Sequence, residues 1–268
     1  MGKQPIDFTY HSHTYRCGHA VGEDYEYAEK AIEAGLKILG YTDHVILPDL
    51  TQRNMRGKPE ELEGYIQSVN SLKEKYKDKL EIHLGFEAEY FGDRYLDYYR
   101  SLLRDKVEYL ILGQHCFLWG DKFVFYGGSY DDTEALERYG DDLIAGMESG
   151  LFTYVCHPDV FMAWYPLWND RCDKLAHRIC QKAVELDMPL ELNMGCSYRP
   201  SFRQRRDYLY PHPRFWKVVG EYPVKTIIGM DTHSPQWLVD GDVAWFIRFA
   251  ERNKLNLIDR IEFKNPFK

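Results

Sequence analysis

Along the chain, short apolar runs alternate with longer stretches in which apolar groups recur at helical spacing, the pattern of repeated βα units. Seven runs rich in Ile, Leu, Val, Phe and Tyr read as strands, at 6–10, 36–41, 80–86, 107–112, 152–156, 188–192 and 224–229. Between the second and third, Pro59 opens a segment whose Leu62, Tyr65, Ile66, Val69 and Leu72 share one helical face. Tyr27, Ala28, Ala31 and Ile32 mark another helix, which closes at Gly35, a residue able to take the left-handed conformation. No Gly/Ser linker, low-complexity block or internal repeat divides the chain, so residues 1–268 read as one domain. The predicted fold class is α/β. Seven successive units point to a closed barrel of parallel strands with outer helices, with an open doubly wound sheet as the alternative. In either fold, chemistry belongs at the carboxyl ends of the strands.

Residues capable of metal or acid–base chemistry fall repeatedly at those ends. His11, His13 and His19 follow the first run, Asp43 and His44 the second, Glu87 and Glu89 the third, and His115 the fourth. His157 follows the fifth, and Asp231 and His233 the seventh. His11 and His13 are two apart, as are Asp231 and His233, and in extended backbone such pairs project to the same side. Imidazole nitrogen and carboxylate oxygen suit zinc, manganese or iron. The six cysteines, at 17, 116, 156, 172, 180 and 196, form no CxxC pair and read as reduced thiols rather than a thiolate metal site. Seven histidines and two carboxylates exceed what one tetrahedral ion accepts, so either several ions are held or some of these residues orient the others. A bridging carboxylate would bring two ions to about 3.5–4 Å.

Composition narrows the function classes. At 44% hydrophobic and 28% charged residues, the 268-residue chain is neither disordered nor a coiled coil. A net charge of −8 leaves no broad cationic face for a nucleic-acid backbone, so an anionic substrate must be bound locally. No run approaches the roughly 18 apolar residues of a membrane span, and the opening MGKQPIDFTYHSHTY lacks the apolar stretch of a signal peptide. The expected location is the cytoplasm, without a membrane partner.

The motifs HSHTYRCGH, YTDH, GFEAE, GQH, HPD and GMDTH resemble those of the polymerase and histidinol phosphatase (PHP) superfamily. Within it, the LELN segment at 190–193 and the Arg- and Tyr-rich loop ending in YPHP are similar to monofunctional histidinol-phosphate phosphatases. The resemblance implies a distorted (β/α)7 barrel with three divalent ions, zinc, iron or manganese, at the C-terminal strand ends. It implies one ion on His11, His13, Glu87 and Asp231, a second on the bridging Glu87 with His115 and His157, and a third on His19, His44 and His233. The implied reaction is hydrolysis of L-histidinol phosphate to L-histidinol and phosphate, in histidine biosynthesis, by in-line attack of a metal-bound hydroxide. Glu87, Asp231 and His233 are its expected catalytic residues.

The expected partner is a small-molecule phosphate monoester. Arginine pairs with two phosphate oxygens through its planar fork, which makes Arg199, Arg16 and Arg203, with Arg205 and Arg206, the candidate phosphate contacts. Asp43 and Glu89 are expected either to fix ring orientation or to meet a substrate ammonium, and His212 to edge the pocket. His83 and His177 are expected to be structural. Tyr15, Phe117, Trp119, Phe161 and Trp164 would wall the ligand or pack the core. Competing readings keep the site but take nucleotides, cyclic phosphates or nucleic-acid ends, or make the chain an inert metal-binding regulatory module. The complete donor set argues against the last.

Overall fold

In the computed structural model, residues 4–127, 133–165, 167–198 and 210–268 are described. Strands β1 (Phe8–Thr9), β2 (Ile38–Tyr41), β3 (Glu81–Ala88) and β4 (Tyr109–Leu112) form one parallel sheet in that order. β5 (Cys116–Trp119) and β6 (Lys122–Phe125) make a separate antiparallel hairpin. β7 (Leu190–Asn193), β8 (Lys225–Gly229) and the short β9 (Asn256–Leu257) form a second parallel sheet. Val155 bridges Leu112 on one side and Leu190 on the other, joining the two sheets, and a bridge from Ser12 to Thr232 joins the chain just after β1 to the chain just after β8. The result is the expected distorted (β/α)7 barrel. Around it lie α1 (Asp24–Ala34), α2 (Leu62–Tyr76), α3 (Leu96–Asp105), α4 (Thr133–Glu148), α5 (Asp170–Glu185), α6 (Pro213–Val219), α7 (Trp237–Asp240) and α8 (Val243–Arg252). Among the described residues no helix is long and apolar enough to cross a membrane.

Local chemistry accounts for the helix ends. Pro59 starts the turn that leads into α2, and Gly35 closes α1 at φ 80°. Three elements differ from the sequence reading. The run at 152–156 pairs in register only at Val155, although Thr153 donates to Leu110 and Glu191 to the Val155 carbonyl, each at 2.8 Å. The chain leaves the sheet there because His157 turns at φ 33°. The hairpin β5–β6 is an insertion that the count of parallel strands passed over. Its signal is present in the sequence, since Gly120 and Asp121 separate two short apolar runs as a two-residue turn, with Gly120 at φ 60°. β9 is two exposed residues with no apolar run to announce it.

Two apolar layers position the site. One packs helices against strands. The other, made of Phe8, Tyr10, Ile38, Tyr109, Ile111, Tyr154, Cys156 and Ile227, fills the barrel, and Ile258, Ile261 and Phe263 of the C-terminal tail pack against it. Phe263 lies parallel to Tyr109 at 4.4 Å, and the Tyr109 hydroxyl donates to the Tyr10 carbonyl at 2.8 Å. Gly40 is required beside it, since a Cβ there would collide with that hydroxyl.

At the opposite end of the strands from the histidine cluster, Glu108 accepts from His83 Nδ1 at 2.8 Å, from the Leu84 amide at 3.0 Å and from Lys73. Burial alone would raise its pKa, but these donors push it down to about 2. Its folded value lies below the unfolded one, so its contribution is complete above about pH 4.3 and is lost as pH falls toward 2. Replacing Glu108 with Gln is therefore expected to cost on the order of 2 kcal/mol at pH 7 and to flatten the acid limb of stability, read by urea unfolding across that window.

Candidate metal centre

The Ser12–Thr232 bridge sets the chain after β1 beside the chain after β8, and so brings His11 and His13 against Asp231 and His233. His11 Nε2 lies 3.0 Å from His13 Nε2 and 3.4 Å from Asp231 Oδ1, while His13 Nε2 lies 3.2 Å from the same oxygen. Glu87, in β3, stands at the centre. Its Oε2 is 3.5 Å from His11, 3.3 Å from His13 and 3.1 Å from His44, whereas its Oε1 is 2.7 Å from His157 and 3.5 Å from His115. One carboxylate thus divides two groups of imidazoles. On the outer side, His233 Nε2 and His19 Nε2 are 2.9 Å apart, and the His19 and His44 rings are 5.5 Å apart. All nine residues expected at the site meet in this one cluster. His13 also reaches toward the outer group, since donors of His13, His44 and His233 lie within 4.8 Å of one another.

The arrangement fits divalent ions. Nitrogens about 2.0–2.1 Å from a shared ion stand roughly 3.0–3.4 Å apart, the spacing seen between His11 and His13. His44 Nδ1 is close to Glu87 but not aligned for a hydrogen bond, and Nδ1 of His13, His44 and His157 are buried without a hydrogen-bond partner. Burial holds His44 well below the usual histidine range and His233 down to about 3, so both keep a free lone pair at neutral pH. The carboxylates behave in the opposite sense. Burial would raise Glu87 and Asp231, but the surrounding imidazoles hold both far below the usual carboxylate range. His13, which burial would lower, is instead raised to about 9 by Asp231 and Glu87. The centre is built to hold positive charge.

The residues expected to meet substrate divide. Glu89 is fully buried and fixes ring orientation, accepting from His115 Nδ1 at 3.2 Å. Asp43 is 2% exposed and accepts the Thr14 amide at 2.8 Å and the Thr14 hydroxyl, holding the loop after β1, while burial raises its pKa to about 6. Arg16 is turned to Asp24 and lies over the Tyr15 and Tyr65 rings, so its guanidinium is engaged within the wall. His212 stacks on Trp168 at 5.0 Å, and its amide donates to Asp159 at 2.6 Å. Phe161 belongs to the core, against Tyr139 and Phe215, and Trp119 is exposed on the hairpin. His83 and His177 are structural as expected, bonded to Glu108 and Tyr222. Arg199, Arg203, Arg205 and Arg206 lie outside the described residues.

Two buried charges were missed by the sequence reading. Glu191 accepts from His11 Nδ1 at 2.8 Å. In the sequence it stands only as one residue of LELN, with no spacing to mark it as a carboxylate with a task. Arg56, 4% exposed, donates to both oxygens of Glu89 at 3.1 and 3.2 Å, to Gln52 and to the Val45 carbonyl. It sits in an irregular segment with no strand end to mark it. Replacing Arg56 with Met leaves the Glu89 carboxylate buried without its cation. The expected cost is about 3–5 kcal/mol, read by urea unfolding of metal-free protein at pH 7.

Comparison with known proteins places this geometry. The PHP domain model matches residues 9–195, which leaves Asp231 and His233 to be recognised by their position in the fold. The chain is 28% identical over 248 residues to a "Probable histidinol-phosphatase" of Deinococcus radiodurans, covering 91% of this chain and 90% of that protein. It is 30% identical over 109 residues to the histidinol-phosphatase of Bacillus subtilis, covering 36% of this chain and 41% of that one. In fold it is similar to the histidinol phosphate phosphatase of Lactococcus lactis solved with zinc, L-histidinol and phosphate, with a TM-score of 0.72, 16% identity, and 96% and 99% of the two chains covered. By the span of that match, and by a barrel whose strand ends gather the motif residues into one cluster, the chain belongs to the PHP domain family.

Proposed function

We propose that this chain is a divalent-metal-dependent phosphomonoesterase that hydrolyses L-histidinol phosphate to L-histidinol and phosphate, a step of histidine biosynthesis, with residues 1–268 acting as one domain. The observation that carries the chemistry is the Glu87 carboxylate, shared between imidazoles on both of its oxygens. The names of the relatives supply the substrate.

The residues would hold three ions. His11, His13, Glu87 and Asp231 take the first, Glu87, His115 and His157 the second, and His19, His44 and His233 the third. Zinc, iron and manganese all suit these donors. Such ions generate a nucleophile from water at neutral pH and neutralise charge on the phosphoryl oxygens. Six positive charges against the carboxylates of Glu87 and Asp231 leave a local excess of about four, which lets a chain of net charge −8 bind a phosphate ester. Asp231, held ionised by its histidine neighbours, serves as an anionic donor, its Oδ1 lying 3.2 Å from His13 Nε2 and 3.5 Å from His233 Nδ1. Glu89 and Asp43, both engaged within the protein, orient His115 and the loop after β1. Phosphate recognition by arginine falls to Arg199 and Arg203.

The reading is tested by phosphate release from histidinol phosphate, nucleoside monophosphates, cyclic nucleotides and short oligonucleotides. Histidinol phosphate is expected to give the highest kcat/KM, and Arg199→Ala to raise KM more than it lowers kcat. A nucleotide turned over faster than histidinol phosphate would contradict the substrate assignment.

A further inference from the structure

Glu191 is the second residue of β7 and is fully buried, and its two oxygens serve different candidate ligands. Oε1 accepts from Nδ1 of His11 at 2.8 Å. Oε2 accepts the backbone amide of His157 at 3.1 Å and the side-chain amide of Asn193 at 2.6 Å. A carboxylate at Nδ1 holds the ring proton there and leaves the Nε2 lone pair bare. In His11 it is Nε2 that points into the cluster, toward His13 and Asp231. At His157 the same carboxylate grips a non-glycine backbone with φ 33°, a conformation that costs about 1–3 kcal/mol unless its surroundings hold it. The ring so held delivers its Nε2 to Glu87 Oε1 at 2.7 Å. β8 is shaped for this side chain, since a Cβ on Gly229 would collide with Glu191 Oε1.

We propose that Glu191 is the positioning residue that couples the two sides of the centre. One carboxylate sets the tautomer of His11 on the Oε2 side of Glu87 and the backbone of His157 on the Oε1 side, so both donor groups are assembled or lost together. The inference rests on the metal-binding part of the proposed function and is independent of which phosphate ester is cleaved.

Zinc titration of metal-stripped protein against a chromophoric chelator tests it. Gln at 191 offers one acceptor and one donor to three N–H groups that all need acceptors, so Glu191→Gln strands His11 or His157. Zinc binding at the sites flanking Glu87 is expected to weaken about 10–100-fold, with the third group, His19, His44 and His233, retaining its affinity. Cobalt in place of zinc should show altered d–d bands, whereas a merely structural defect would lower the melting temperature and leave those bands unchanged. Gly229→Ala keeps every charge and displaces the carboxylate, so it is expected to give the same loss and serves if the Gln variant does not fold. A zinc isotherm and cobalt spectrum equal to the parent's, in whichever variant folds, overturns the inference. Normal zinc coupling in a protein that spares histidinol phosphate would overturn the substrate assignment and leave this one standing.

Discussion

Alanine in place of Glu87 is expected to lower phosphate release on the order of 10⁴-fold or more, with little gain from added substrate. Glu87 touches both imidazole groups, His11, His13 and His44 through one oxygen and His115 and His157 through the other. Its loss removes the anionic donor that the proposed centre shares between two ions and leaves five histidines around a hole. Neutral-pH attack on phosphorus draws on a shift in water acidity from about 15.7 to near 7, so an effect on kcat is expected and not merely on KM. Steady-state kinetics with metal content measured in parallel would check it. A variant that turns over at the parental rate would remove Glu87 from the centre of the account.

Stripping metal from the native chain is expected to have the second largest effect. Activity should fall to background after exhaustive chelation and return on adding back zinc, manganese or iron(II). Stability should fall with it. Ion at a thousandfold excess over its dissociation constant contributes about 4 kcal/mol per site, so the stripped protein should melt on the order of 10 °C lower for each tight site emptied. The physical reason lies in the buried carboxylates of Glu87, Asp231 and Glu191. Without ions their compensation is protons on imidazole, as the raised values of His11 and His13 indicate. Differential scanning calorimetry with and without chelator measures the shift, and an unchanged melting temperature would contradict it.

The sequence was most legible where periodicity and chemistry coincide. Strand ends follow from apolar runs, and His11, His13, Glu87 and Asp231 directly follow or lie within them, so the barrel and the clustered donors could be anticipated together. The hairpin β5–β6 was readable from Gly120-Asp121 but was absorbed into a count of parallel strands. What pattern could not give is which way a charged residue faces across the fold. Arg16 and Arg56 have the same formal charge, yet Arg16 turns to Asp24 and Arg56 is buried under Glu89, for reasons set by partners 8 and 33 residues away. Glu191 looks like an ordinary alternation in LELN, and its task appears only when β7 is laid beside β8 and under His11. Tertiary contact, not local preference, decides those roles.

In the proposed centre, distant loops converge on ions held around Glu87. Crystals grown with zinc, manganese or iron and measured at each absorption edge test this most directly. Anomalous peaks are expected on both sides of the Glu87 carboxylate, about 2.0–2.2 Å from its oxygens, with a further peak among His19, His44 and His233. Metal-replete crystals with no anomalous density beside Glu87 would contradict it.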